Sequence, residues 1–444
     1  MIDFLICYEH INREIENDAL IKHELEKKGY SCKIIKYDGP GIYLHSKTQN
    51  RAKVVVAPWL RYNENVYHFL KLSSKPHKLV NLQWEQVYAQ AGINNGLVST
   101  TGESLKAYHL CWGNHSRQRL IEAGVEPENA IVTGAVQMDY GFPQFAKYFR
   151  TKEFMAEKFN LDLNKRWILY ISSFGFANYN KEDLDALKSR FGQYIYDLAN
   201  LHETSQSDML RWIERLLSEY DCEFIYRPHP SEKNLCLNLE RMERECRGFH
   251  IISEYSVKQW SSICEKVNLW ISTSNAELLS MGVDYGIIRP DPVPAEFEVE
   301  SMREEAFICS YEEFKRYNTN SVPENSGLRE RRKDRLTEYY SFDGKNPAYK
   351  KTADSLIHIL ERGKGQDYEF SLKEKLAFEG KEIKQIFISY LLEIQMKFIK
   401  MDILGLTPVP KRIKTNMGHA VKDAYHVKRI ITHVLQYLDE NDRD

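Results

Sequence analysis

The chain has 444 residues, 43% hydrophobic and 28% charged, with a formal net charge of −2. That length exceeds one compact core and implies two domains with an appendage. The near-neutral balance excludes a bulk nucleic-acid binder, which would carry an excess of Lys and Arg, and no apolar run of about 18 residues is present to span a bilayer. Eight cysteines lack C-x-x-C spacing and read as reduced, mostly buried thiols. Met1 to Cys7 reads as a strand with no basic flank or cleavage site, so the sequence predicts a cytoplasmic protein.

Strand and helix alternate from the start. Phe4 to Tyr8 reads as a strand, and Ile15 to Lys28 carries apolar residues at helical spacing before a C-cap at Gly29. Strands at 32–37, 53–58, 78–82 and 131–133 follow, with a helix at 116–123. A charged stretch at 152–166 leads to a second half, which opens with a strand at 167–172 and carries an amphipathic helix at 207–220. Strands at 222–226, 267–271 and 286–290 and a closing helix at 354–362 complete it. Repeated βαβ units imply parallel sheets covered by helices on both faces. The expected division is 1–150 as an acceptor-side Rossmann-like domain, 151–365 as a nucleotide-sugar-binding Rossmann-like domain, and 366–444 as a helical extension. Between Lys397 and Arg429 eight Lys or Arg face only Asp402 and Asp423. Such a patch suits either anionic lipid at the inner membrane face or a solvated helical surface.

Two polar turns carry the chemistry. Arg227-Pro228-His229-Pro230-Ser231-Glu232 follows one strand, and Ser272-Thr273-Ser274-Asn275-Ala276-Glu277 follows another. A small polar turn between strand and helix offers backbone N–H groups and hydroxyls to phosphate or carboxylate. Two prolines stiffen the chain around His229, and Arg227 adds a permanent fork-shaped charge. Ser272, Thr273 and Ser274 supply more hydroxyls than one N-cap requires. Glu277 is placed to accept from ribose hydroxyls, although Ser274-x-x-Glu277 also fits a capping box. Ser173, after the strand at 167–172, belongs to a phosphate-facing or hinge loop. The expected donor-binding set is therefore Arg227, His229, Pro230, Ser231, Ser272, Thr273, Ser274, Glu277 and Ser173.

Glu85, in Asn81-Leu82-Gln83-Trp84-Glu85-Gln86-Val87-Tyr88, is the candidate general base, with Glu9 and Glu14 as competitors. Apolar neighbours would raise its pKa towards neutrality. Glu85 and His229 form the expected catalytic pair. Asp183-Leu184-Asp185 lies in a charged helical stretch and there is no H-E-x-x-H, so neither a metal site nor a cofactor is predicted.

These segments, with Cys111-Trp112-Gly113-Asn114 and Val132 to Asp139, resemble bacterial capsule and lipopolysaccharide biosynthesis glycosyltransferases of GT-B fold. The His-Pro pair and the serine/threonine turn look like the motifs of sialyltransferases that use CMP-activated nonulosonic acids. That resemblance implies CMP held by Arg227 to Ser231 and Ser272 to Ser274, and Glu85 as base. The family's base motif is acidic-acidic-glycine, whereas this chain reads Trp84-Glu85-Gln86. The same pair is similar to CDP-glycerol phosphotransferases. The implied partners are a nucleotide-sugar donor, CMP-linked by preference, and a glycan or lipid-linked glycan acceptor. UDP-, GDP- or CDP-alcohol donors, or a non-catalytic assembly scaffold, stand as alternatives.

Overall fold

The computed structural model describes residues 2–37, 51–96, 98–229, 232, 236–303, 305–320, 326–384 and 426–440. The first half is a six-stranded sheet of β1 (Ile2–Tyr8), β2 (Cys32–Lys36), β3 (Ala52–Ala57), β4 (Leu79–Asn81), β5 (Tyr108–Cys111) and β6 (Ala130–Val132), in the order β2-β1-β3-β4-β5-β6. The second half holds β7 (Arg166–Ile171), β8 (Cys222–Arg227), β9 (Phe249–Ile251), β10 (Lys266–Leu269), β11 (Gly286–Ile288) and β12 (Phe307–Ile308), in the order β12-β11-β10-β7-β8-β9. Every strand pairing is parallel. Helices cover both faces, so central strands are apolar without alternation: Val54 to Val56 and Ile168 to Tyr170 are all fully buried. Two doubly wound halves with a cleft between them are the GT-B arrangement, as expected.

β5, β9 and β12 carry no clear sequence signal. β5 places His109 in the interior, satisfied by Asn81 and the Ser104 carbonyl, and β9 and β12 span three and two residues. The other strands fall within a few residues of their expected bounds, whereas the helix expected at 207–220 already begins at Tyr194 and the closing helix expected at 354–362 begins at Ala348.

Helix α1 (Ile11–Lys27) covers one face of the first sheet, and α2 (Asn63–Leu70) runs from the end of β3. Helix α3 (Ser274–Ser280) follows β10 in the second half. Helix α4 (Ala348–Glu361) returns to the first half, where Ala353, Leu356 and Ile359 are buried beside Ala19 and Leu20 of α1. Its N-cap position is Pro347, which has no acceptor side chain. The buried Asp139 carboxylate serves instead, accepting from the N–H groups of Ala348 at 2.8 Å and Tyr349 at 2.7 Å. After α4 the chain straps across the first half, with Gln366 N–H donating to His77 O at 2.8 Å. Helix α5 (residues 372–384) then lies on α2, and a further helix occupies residues 426–440. Among the described residues no helix is long and apolar enough to cross a membrane. Of the basic patch, 397–425 lies outside the described residues; Lys428 and Arg429 are exposed.

The halves meet closely near the cleft floor. A Cβ on Gly141 would stand 2.1 Å from the Ser280 carbonyl oxygen, so only glycine lets this first-half turn touch the end of α3.

Candidate functional site

In doubly wound sheets, ligands bind beyond the carboxyl ends of the strands where the strand order reverses. The first sheet reverses between β1 and β3, the second between β7 and β10. Both reversals open onto one cleft of about 430 Å³. Glu9 and His10 enter it from the end of β1, and Pro58, Trp59 and Arg61 from the end of β3. From the other side come Ser172 after β7, Arg227 to His229 at the end of β8, and Ser272 to Ser274 after β10.

Glu85 is delivered to the cleft by its neighbours. Gln83 adopts a left-handed φ of 47°, an uncommon conformation for a non-glycine residue, and turns the chain sharply after β4. Trp84 and Gln86 are buried, and Gln86 is fixed by donating to Leu82 O at 2.9 Å and Leu110 O at 2.8 Å and accepting from Trp112 N–H at 2.8 Å. Glu85, between two anchored residues, points outward with 46% of its side chain open. Its carboxylate pairs with Arg13 at 2.7 Å. Burial acts to raise its pKa, but Arg13, with His229, Arg61 and His10, outweighs burial and holds it below the usual carboxylate range. The expected upward shift is therefore reversed: charged cleft neighbours dominate over apolar ones. The competitor Glu14 is fully buried and accepts from the N–H of Glu9 and from Arg13, and Glu9 accepts from Trp59 Nε1 at 3.1 Å.

On the opposite wall, burial pushes His229 down to about 4, which keeps the imidazole neutral at physiological pH. Its backbone N–H donates to Glu232 at 3.1 Å. Arg227 is buried at the end of β8, donates to Ser253 O at 2.9 Å, and is lowered by burial to about 10, so it remains a cation. Thr273, not Ser274, occupies the N-cap of α3, and its side chain makes no capping bond. No capping box forms. Glu277 turns instead to Lys258, whose ammonium lies 3.6 Å from Glu277 and 3.5 Å from Glu16 of α1, tying the two halves electrostatically. Burial raises the Glu277 pKa against the pull of Lys258.

The cleft thus gathers Glu85, Arg227, His229, Ser272, Thr273, Ser274 and Glu277 from the predicted set. Pro230 and Ser231 lie outside the described residues. Ser173 is not brought in; Ser172 lines the cleft instead, and its hydroxyl donates to Glu232 at 2.7 Å. Sequence reasoning missed Arg13, Trp59, Arg61 and Lys258. The strand-end rule that found His229 also selects Trp59 and Arg61, whereas Lys258, on the Val257–Ser261 helix, gives no local signal. Chemically, the cleft sets the Arg13-paired carboxylate of Glu85 opposite Arg227, the Ser272 to Ser274 hydroxyls and the neutral His229 imidazole.

No family model and no curated protein matches the chain. Among solved structures, it resembles S. aureus MnaA in complex with UDP at 12% identity, covering 84% of this chain and 100% of that one, with a TM-score of 0.51. It also resembles the wall teichoic acid polymerase TagF at 12% identity, covering 81% of this chain and 89% of that one, with a TM-score of 0.50. At this identity the likeness is one of fold.

Proposed function

We propose that the protein is a nucleotide-sugar-dependent glycosyltransferase, with a CMP-linked ulosonic acid as its donor and a surface glycan or lipid-linked glycan as its acceptor. The observation that carries this reading is the single cleft at both strand-order reversals, where Glu85 faces Arg227, His229 and the Ser272 to Ser274 turn. Glu85 takes the acceptor hydroxyl's proton as the new bond to the anomeric carbon forms. The bond from that carbon to the donor phosphate breaks, and the departing phosphate meets Arg227 and the hydroxyls and amides of the turn. A neutral His229 offers one N–H to that phosphate without first taking up a proton. Glu277 meets the ribose.

A second reading keeps the cleft and replaces the donor by a UDP-sugar or a CDP-alcohol. The fold likeness to UDP-bound MnaA supports its UDP form. Thermal unfolding with CMP, CDP, UDP and GDP separates the readings, since a ligand at a hundredfold over its Kd adds about 2.7 kcal/mol. Selective stabilisation by CMP is expected; selectivity for UDP or CDP replaces the donor, and silence towards all four favours a scaffold. In the same assay Glu85→Gln should keep the nucleotide response and lose transfer by roughly 10²-fold or more. Normal transfer by that variant places the base elsewhere.

A further inference from the structure

Helix α5 divides its side chains by charge. Its acids bond to α2: Glu374 accepts from Asn63 at 2.7 Å, Glu379, with 40% of its side chain open, from Tyr67 at 2.7 Å, and the buried Glu382 pairs with Lys71. Phe378 packs on the Tyr67 ring with centroids 5.5 Å apart. This face docks the helix on α2. The opposite face carries Leu372, Leu376 and Ile383, exposed by 73%, 65% and 63%. Their spacing stacks them into one stripe on a helix of 3.6 residues per turn. Lys373, Lys375 and Lys384 are exposed along its flanks, and the exposed Lys381 pairs with Glu64.

Beside the stripe, a shallow depression of about 410 Å³ lies at the amino ends of β3 and β4. Arg51, Lys75 and Lys375 stand around it, with Tyr67, Tyr368 and Phe370 as its apolar wall. Lys71 also borders it but is held by Glu379 and Glu382, and His77, near Asp367, is kept from protonating chiefly by burial.

The geometry points to an anionic lipid surface as the occupant of this face. Leu372, Leu376 and Ile383 enter the acyl boundary, the flanking lysines lie at headgroup level, and a lipid phosphate sits among Arg51, Lys75 and Lys375. Charge complementarity selects this occupant: the acids of α5 are each bonded to α2, Glu379 with 40% of its side chain still open beside the stripe, whereas Lys373, Lys375 and Lys384 are exposed around it. Lipid attachment itself requires no transferase activity, and the two readings stand or fall separately.

Full-length protein is sedimented with vesicles of phosphatidylcholine alone and with added phosphatidylglycerol, with no nucleotide present. Binding only to the anionic vesicles, weakened by salt, is expected. Leu372→Ser/Leu376→Ser/Ile383→Ser and, separately, Lys75→Glu/Lys375→Glu should each lower it at least tenfold, with thermal unfolding and nucleotide response unchanged. If the apolar variant fails to fold, the charge variant decides. Absence of binding by the natural chain, or binding undiminished in a folded variant, overturns the proposal and assigns any residual attachment to another segment. A shift from dimer to monomer in the apolar variant overturns it equally, giving the face to a second copy. Binding of free inorganic phosphate without vesicle binding assigns the depression to a soluble anion and overturns it too.

Discussion

Glu232 stands behind the cleft wall and holds His229 in place from there. Its two oxygens are shared by the Ser172 hydroxyl at 2.7 Å, Tyr226 at 2.9 Å, Gln206 at 2.7 Å and the His229 N–H at 3.1 Å. Burial raises its pKa while these four donors favour the anion. Glu232→Ala leaves several buried polar groups without their partner, at about 1–3 kcal/mol each. We expect chemical denaturation to show a loss of about 3 kcal/mol, with donor KM rising more than turnover falls. Unchanged stability would mean the loop is held by other contacts. Glu85, Arg227, His229 and Ser272 were legible in the sequence because a polar residue just after a strand is local information. Lys258 and Arg13 reach Glu16 and Glu85 far along the chain, and Glu232, although only three residues from His229, draws its Ser172 and Gln206 bonds from other elements that no short window contains. The same limit explains the pKa of Glu85: its apolar neighbours are visible in sequence, its Arg13 partner is not.

At the scale of elements, α4 begins on a carboxylate borrowed from another part of the chain. Burial lifts the Asp139 pKa to about 7, although the N–H groups of Ala348 and Tyr349 pull it down. An acid with a folded pKa above its unfolded value holds its proton in the folded chain when the unfolded chain has released it. Its stabilisation is full below the unfolded value and is lost as pH rises through the folded one. Between about pH 5 and about pH 8 the natural chain should therefore lose roughly 2–3 kcal/mol that Asp139→Asn does not lose. Parallel slopes for the two proteins would show that the carboxylate is already ionised at the helix end. Apolar residues at helical spacing mark α1 and the later turns of α4, whereas α2 was not expected and the first turn of α4 was not seen. What α4 packs against is not encoded in that spacing, and neither is the partner of its first turn.

For the whole molecule, the closeness of the two halves rests on a position without a side chain. Gly141→Ala drives a methyl group into the Ser280 carbonyl, and neither backbone can yield without moving α3. Overpacking of this kind costs about 1–3 kcal/mol, and here it also displaces the Ser272 to Ser274 turn that opens α3. Calorimetry of the variant should show a lowered midpoint and a smaller nucleotide shift; an unchanged response would mean that the halves can separate without disturbing the turn.

The return of α4 to the first half has a consequence for how the protein is made. The first half is interrupted: its opening strands leave the ribosome early, but the helix that covers α1 follows the whole of the second half. Ala353, Leu356 and Ile359 are fully buried there, and each larger side chain contributes roughly 1.5–3 kcal/mol on burial. A fragment ending at residue 150 should therefore aggregate or bind hydrophobic dye, while residues 1–150 joined by short linkers to 341–384 and to 426–440, whose Val434 and Leu438 lie in the same core, should recover a soluble fold. During synthesis the second half, although later in sequence, is the first to be complete, and the half that begins the chain must wait for nearly its last helix to close.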